Sequence, residues 1–235
     1  MLPYICEFLG TMMLILLGDG VVANVTLDKS GMKGGGSVQI TIAWGLAVLV
    51  PAFIFGGFSG AHFNPAVTIA LAALGKFDLG IGGVLGYIVC QWAGAFVGGC
   101  LVYLLYKGQF DATENPGTKL GVFSTGPSVP NVGLNLLSEI VGTFVLVFAI
   151  LGIPKTADGV NYLLVFGIIV SIGMSLGGLT GYAINPARDF GPRCAHAVLP
   201  IKGKGSSRFD YGWIPIVGPI IGGLLAAGLY AIIPW

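Results

Sequence analysis

The sequence predicts an all-α membrane protein with six transmembrane helices and two re-entrant half helices, arranged as an inverted repeat. Three observations support this fold class. The chain is 55% hydrophobic and only 9% charged, against roughly 25% charged residues in an ordinary soluble domain. Several apolar stretches approach the length of about 20 residues that a helix needs to cross a bilayer. The tripeptide Asn-Pro-Ala occurs once in each half of the chain.

Three membrane spans are predicted in each half of the chain. The first half has spans at 3–25, 38–57 and 80–106, and the second has spans at 134–153, 161–178 and 211–233. Most charged and turn residues fall in the connections, of which the longest, 107–133, is expected to be a loop.

Two shorter helices, at 65–75 and 186–196, begin at the Asn-Pro pairs and are too short to span a bilayer. Asn caps a helix start, and Pro at the first helical position has no N–H to leave unpaired. Non-helical backbone at membrane depth is tolerated only where protein buries it or water reaches it. The preceding segments, 57–63 and 178–184, should therefore line an aqueous path in extended form. Their carbonyl groups would form a ladder of hydrogen-bond acceptors, made by Gly60, Ala61, His62, Phe63, Thr180, Gly181 and Ala183.

The two halves repeat one motif. Glu7-x-x-Gly10-Thr11 opens the first half and Glu139-x-x-Gly142-Thr143 opens the second. Three spans separate these starts, and an odd number reverses the chain direction, so the repeats are inverted. We interpret 1–235 as one domain, with repeats at approximately 1–106 and 134–235. Inverted repeats place their functional site near the bilayer midplane, where broken helices meet.

The half helices should meet at a central constriction. Each Asn can accept from the helix N–H groups while its NH₂ donates to a passing molecule. Each half-helix N-terminus carries about half a positive elementary charge, which opposes the passage of cations and protons. The residues of this constriction are Asn64, Pro65, Ala66, Asn185, Pro186 and Ala187.

Arg188 follows the second motif directly. Burying a guanidinium in a membrane costs at least about 2.5–3.5 kcal/mol. Its place beside Asn185 favours a donor that lines the path and repels cations. The alternatives are a structural arginine satisfied by loop carbonyls, and one that reaches the lipid headgroups.

Four other polar residues lie in apolar sequence. Glu7 and Glu139 could form a proton relay, but their matched positions favour buried acceptors for loop N–H groups. His62 could gate with pH, although packing of its ring near an entrance is the simpler interpretation. Asp19 is expected at a solvated vestibule position.

Composition excludes several functions. The net charge of +1 gives no basis for nucleic-acid binding, and the four cysteines lack metal-ligand spacing. Because the chain has two histidines and no visible nucleophile–base pair, a membrane enzyme is disfavoured. No cofactor is expected. A coupled secondary transporter would need ion-coordinating carboxylates near the broken helices, and neither half-helix junction has one.

Cationic side chains concentrate in the connections of one face, so that a literal positive-inside count would place both termini outside. The count includes Arg188, which lies in a re-entrant segment and should not contribute. These cations are Lys29, Lys33, Lys107, Lys119, Arg188, Arg193, Lys202, Lys204 and Arg208, against Lys76 and Lys155 on the other face.

This pattern resembles the major intrinsic protein family, the aquaporins and glycerol facilitators. Residues 59–68 and 181–189 are similar to the family consensus, and the likeness extends over essentially the whole chain. The glycerol-conducting branch typically has Asp after the Arg and a basic residue further on, as in Asp189 and Arg193. It also favours Pro and an aliphatic residue in the last span, as in Pro215-Ile216.

The resemblance implies a selectivity filter formed by Trp44, Gly173, Tyr182 and Arg188. Gly173 stands where water-selective members usually carry His, which implies a wider filter. Tyr182 stands where glycerol facilitators commonly carry Phe. A polyol could slide its carbon edge along Trp44 and Tyr182 while Arg188 and carbonyl groups bind its hydroxyls.

The family implies a passive channel that conducts glycerol, other small uncharged solutes and water while excluding ions and protons. The alternatives are a mainly water-selective channel and a facilitator of dihydroxyacetone, urea, hydrogen peroxide or undissociated lactic acid. A homotetramer in the plasma membrane, of bacterial type, is also implied.

Overall fold

The computed structural model describes residues 1–153 and 160–234 and is helical, with no strand among those residues. The helices run as α1 Leu2–Thr26, α2 Gly36–Ser59, α3 Pro65–Ala73, α4 Gly80–Leu105, α5 Lys107–Ala112, α6 Pro116–Phe123, α7 Val132–Gly152, α8 Val160–Thr180, α9 Pro186–Val198, α10 Phe209–Gly212 and α11 Ile214–Ile232.

Six helical segments are long and apolar enough to cross a membrane, with α10 and α11 together forming the last. The predicted all-α fold class is confirmed, and α3 and α9 are the two half helices. Lys155, which the sequence places in the connection between the fourth and fifth spans, lies outside the described residues.

The connection 107–133 is not a plain loop, because it contains α5 and α6. Asn115 caps α6 by accepting from the N–H of Thr118, and Pro116 occupies the first turn. Two of the spans also extend two residues further at their C-terminal ends than expected. α2 and α8 continue to Ser59 and Thr180, and each stops at a glycine in the left-handed region.

The two halves pack by matched contacts. α1 lies against α2 and α4, and α7 lies against α8 and α11. A Cβ added at Gly94 of α4 would lie 2.2 Å from the carbonyl oxygen of Phe8, and one at Gly222 of α11 would lie 2.2 Å from that of Ile140. Small residues of this kind let membrane helices approach closely. This correspondence supports the proposed repeat.

The half helices interlock the two halves. α3 of the first half packs on α11, and α9 of the second half packs on α4. Consequently the N-termini of α3 and α9 meet between the two sets of spans.

Candidate transmembrane pore

A cavity of about 710 Å³ lies between the spans and reaches both half-helix starts. One wall is apolar, and the two non-helical loops form the other. The apolar wall includes Leu14, Val48, Ala52, Val67, Leu146, Ile150 and Ile169. The predicted residues that line the cavity are Trp44, Gly60, Ala61, His62, Phe63, Asn64, Tyr182, Ala183, Asn185 and Arg188.

The other predicted site residues stand behind this lining. Pro65, Ala66, Pro186 and Ala187 form the first turns of the half helices. Gly173, Thr180, Gly181, Glu7 and Glu139 are likewise not among the described residues that line the cavity.

The loops are not uniformly extended. In the first loop Gly60, Ala61 and Phe63 have φ values of 82°, 52° and 48°. In the second, Gly181, Tyr182 and Ile184 occupy the same places before the Asn, with φ values of 83°, 38° and 43°. Left-handed backbone at a non-glycine residue costs of order 1–3 kcal/mol and persists only where the surroundings impose it.

Glu7 imposes the shape of the first loop from behind. Its fully buried carboxylate accepts from the N–H groups of His62 and Phe63, at 3.0 and 2.8 Å, and from the hydroxyl of Ser59. Gln91 of α4 donates to the same carboxylate at 2.7 Å.

Glu139 holds the second loop in the same way. Its carboxylate accepts from the N–H groups of Ala183 and Ile184, at 3.1 and 2.8 Å, and from the hydroxyl of Thr180. Both carboxylates are therefore occupied with loop donors, which supports the interpretation of these acids as loop acceptors.

The two asparagines connect the loops to each other. Asn64 Nδ2 donates to the carbonyl of Ile184, and Asn185 Nδ2 donates to that of Phe63, both at 2.8 Å. Their Oδ1 atoms accept from the N–H groups at the starts of α3 and α9. Since an amide NH₂ has two hydrogens, each Asn retains one hydrogen for a molecule in the cavity.

Arg188 lies over the Trp44 ring, with 4.2 Å between Cζ and the ring centroid. A guanidinium over an aromatic face gains a cation–π attraction. Trp44 itself rests against α1, because a Cβ added at Gly18 would lie 2.3 Å from its ring. Cavity-lining Arg188 is 8% exposed, and no ion pair joins it to a carboxylate within residues 1–153 and 160–234.

Gly173 does not face open space. A Cβ there would lie 2.5 Å from Thr41 Cγ2 and 2.8 Å from Tyr182 Cζ. The missing side chain is therefore replaced by neighbouring groups, and Gly173 acts through the position of Tyr182.

His62 lines the cavity and also packs against neighbouring side chains. Its Nδ1 lies 3.0 Å from the hydroxyl of Thr68, and its ring lies against Phe77 and Tyr87. Gln91 also donates to Thr68, which connects His62 to the Glu7 network. The sequence carries no local signal for Gln91, because its role depends on helix packing.

The solvated position expected for Asp19 is wrong. The side chain is fully buried, and neither carboxylate oxygen has a hydrogen-bond partner within the described part of the chain. Arg188 is the cation with which it interacts electrostatically.

The site has no visible place for a metal. Across residues 1–153 and 160–234, no group of three or more His, Cys, Asp or Glu side chains is arranged to hold an ion. Cys6, Cys90, Cys100 and Cys194 are free thiols.

The chain matches the family model described as "Major intrinsic protein" over residues 2–230. A Thermotoga maritima protein named "Probable glycerol uptake facilitator protein" is 58% identical over 229 residues, covering 97% of each chain. The "Glycerol uptake facilitator protein" of Bacillus subtilis is 52% identical over 226 residues, covering 95% of this chain and 82% of the relative.

A solved structure is also similar. The X-ray structure of the aquaglyceroporin from Plasmodium falciparum superposes with a TM-score of 0.86 at 32% sequence identity, covering 99% of this chain and 96% of that one. The family match covers nearly all residues, and the six spans and two half helices are consistent with it. The chain belongs to the major intrinsic protein family.

Proposed function

We propose that this chain is a passive membrane channel that conducts glycerol, other small uncharged solutes and water. The observation that carries the proposal is the cavity that runs past both asparagine caps to Arg188 over Trp44. It offers hydroxyl-binding groups on one side and apolar side chains on the other, which suits a polyol. The relatives named as glycerol uptake facilitators support the same solute. Members of this family are channels, so the chain is not an enzyme.

Trp44, Tyr182 and Arg188 form the proposed filter, and Gly173 acts from behind Tyr182. The central constriction is formed by Asn64 and Asn185, whose free hydrogens order the solutes in single file. Exclusion of ions and protons follows from two positive half-helix ends and one guanidinium around the same path.

The protein is a multi-pass membrane protein, and the two glycerol uptake facilitators to which it is similar come from bacteria. We place it in the plasma membrane as a homotetramer, with residues 1–235 forming one channel domain. Many large apolar side chains are exposed on the spans and would contact lipid or a second copy, among them Phe58, Leu85, Leu104 and Leu225.

A mainly water-selective channel is the second candidate. It is favoured by one observation, namely that Thr41 and Tyr182 fill the place left open at Gly173. Dihydroxyacetone, urea, hydrogen peroxide and undissociated lactic acid are further uncharged solutes that this path could admit.

Stopped-flow light scattering of proteoliposomes with a panel of solutes tests the proposal. Glycerol should equilibrate faster than in protein-free liposomes, while a proton gradient imposed on the same liposomes should persist. Water flux without glycerol flux would favour the second candidate, and measurable proton conduction would contradict the exclusion argument.

Two matched variants identify the route. Val48 lines the cavity, whereas Val50, on the same helix, is 41% exposed on the outside. Val48→Trp should abolish most of the glycerol flux because the indole fills the path, and Val50→Trp should leave it unchanged. Equal fluxes through the two variants would place conduction outside this cavity.

A further inference from the structure

The Tyr182 ring, in the wall of the pore, packs against helix positions that carry no side chain. Its ring lies against two glycines of α8, since a Cβ at Gly177 would be 2.8 Å from Tyr182 Cδ1 and one at Gly173 would be 2.8 Å from Cζ. Side chains at those positions would push the ring away from α8. The two glycines therefore allow the Tyr182 ring to lie close to α8, away from the centre of the path. A neighbouring group is needed to fix the ring in that position.

Thr41 of α2 lies beside the same space. Its Cγ2 methyl lies 2.5 Å from the same Gly173 Cβ position, so the methyl and the Tyr182 ring occupy neighbouring parts of one space. The Thr41 hydroxyl donates to the carbonyl of Ser37 at 2.7 Å, and the residue is 3% exposed. This hydrogen bond to its own helix fixes the direction of the methyl group, and the Thr41 hydroxyl also lies near the Tyr182 hydroxyl without forming a hydrogen bond to it.

We propose that Thr41 is a positioning residue for solute selectivity: its methyl group fixes the Tyr182 ring and thereby sets the upper size limit of the pore. The inference rests on the proposed channel function and adds a residue that does not itself line the cavity. Protein interiors are close-packed, so the loss of one methyl is felt by its neighbours. Where a substrate contacts a pocket directly, one methylene changes discrimination by about tenfold or more.

Thr41 offers two nearly isosteric substitutions that separate its methyl from its hydroxyl. Thr41→Ser removes Cγ2 and keeps the bond to Ser37, whereas Thr41→Val keeps a methyl at that place and removes the hydroxyl. Only the serine variant opens space behind the Tyr182 ring. It should therefore admit larger polyols, and the valine variant should behave like the unchanged protein.

The measurement is the ratio of erythritol to glycerol permeability in proteoliposomes, followed by light scattering. A ratio is independent of how much protein was reconstituted, so moderate losses of folded protein do not affect it. Because the methyl acts through a ring, we expect Thr41→Ser to raise the ratio at least about twofold and by less than the roughly tenfold effect of direct contact. Thr41→Val should leave the ratio unchanged.

A double-mutant cycle tests whether the effect passes through Tyr182. In a Tyr182→Ala background the ring is gone, and Thr41→Ser should then have no further effect on the ratio. A serine effect of the same size in both backgrounds, or equal ratios for serine and valine variants, would overturn the inference. Absence of glycerol flux through the unchanged protein would instead contradict the proposed function, so the two failures are distinguishable.

Discussion

Arg193 and Asp189 form a buried ion pair that anchors the second half helix. Arg193 Nε donates to Asp189 Oδ1 at 2.8 Å, and both side chains are inaccessible to solvent. Arg193 also donates to the carbonyls of Thr125, Ser207 and Arg208. The pair therefore connects α9 to loops on both sides, directly after Arg188 of the proposed filter.

Asp189→Asn should strongly destabilise the protein. The other carboxylate oxygen of Asp189 accepts from the N–H and the hydroxyl of Thr125. In asparagine one of the two oxygens is replaced by an NH₂ group, which would face the donors of either Thr125 or Arg193. Breaking a buried ion pair costs about 3–5 kcal/mol. Thermal unfolding in detergent should show a clear decrease in Tm. Asp210→Asn, which removes the exposed partner of Arg208, is the control and should change Tm little; equal decreases would contradict the argument.

Gly173→His should reduce glycerol flux more than water flux. Any side chain at Gly173 meets Thr41 and Tyr182, so it must move the Tyr182 ring into the path, and the larger solute loses more. Stopped-flow measurements of both solutes on the same liposomes give the comparison. Gly178→Ala is the control, because a Cβ there meets no atom within 4 Å. Equal proportional losses of water and glycerol would remove Gly173 from the proposed filter.

The re-entrant loops are elements whose shape depends on glycines of the opening motifs. Phe63 packs on Gly10, and Ile184 packs on Gly142, in each case directly before the Asn. In each half, a Glu of the same motif accepts the N–H of that residue. In each half, the Glu of the Glu-x-x-Gly motif therefore accepts a hydrogen bond from the loop, and the Gly leaves space for the loop side chain.

Gly10→Ala should damage the protein more than Gly142→Ala. The added Cβ would lie 2.0 Å from the Phe63 ring at Gly10, but 2.9 Å from Ile184 Cγ2 at Gly142. Overpacking a core costs typically about 1–3 kcal/mol. The buried Phe63 ring has less room to move aside than the Ile184 methyl group. Both the Tm and the glycerol flux should therefore be lower for Gly10→Ala than for Gly142→Ala.

Gly167→Ala provides the control for these alanine variants. Its Cβ would meet no neighbouring atom, and replacing a mid-helix glycine stabilises a helix by roughly 0.5–1 kcal/mol. Its Tm should stay the same or rise. A larger loss for Gly142→Ala than for Gly10→Ala would show that the loops do not depend on this packing.

Elements with local signals were predictable from the sequence, and those set by tertiary contacts were not. Apolar length predicted the spans, and the Asn-Pro pairs predicted α3 and α9, because capping is a property of neighbouring residues. The same signal at Asn115-Pro116 begins α6 and was available in the sequence. The closeness of Thr41 to Tyr182 depends on how α2 packs against α8 and the loop that follows it, and no spacing along the chain reveals it.

At the scale of the whole molecule, the charge asymmetry between the two faces has a local explanation. Lys33, Lys107 and Arg208 pair with nearby exposed carboxylates. Lys204 donates to the carbonyls of His196, Ala197 and Leu199 at the end of α9, where a cation also complements the helix dipole. These four cations therefore stabilise the local fold as well as adding to the charge of that face.

The inverted halves bring two buried acids close to the pore, which raises the question of energy coupling. A coupled transporter would need carboxylates free to bind an ion at the broken helices. Glu7 and Glu139 instead accept from loop donors and are not among the described cavity-lining residues. Among the described residues, neither Glu7 nor Glu139 is therefore free to bind a coupling ion at a half-helix start, and glycerol should pass equally well in both directions.

Glycerol flux should consequently be passive. In proteoliposomes, influx and efflux rates should be equal for equal and opposite glycerol gradients, and should rise linearly with concentration well beyond the range in which a carrier saturates. An imposed pH or sodium gradient should change neither rate. Protein-free liposomes measure the background through the bilayer. Accumulation of glycerol above its outside concentration, driven by either ion gradient, would contradict a passive channel and would assign Glu7 or Glu139 a role in ion binding.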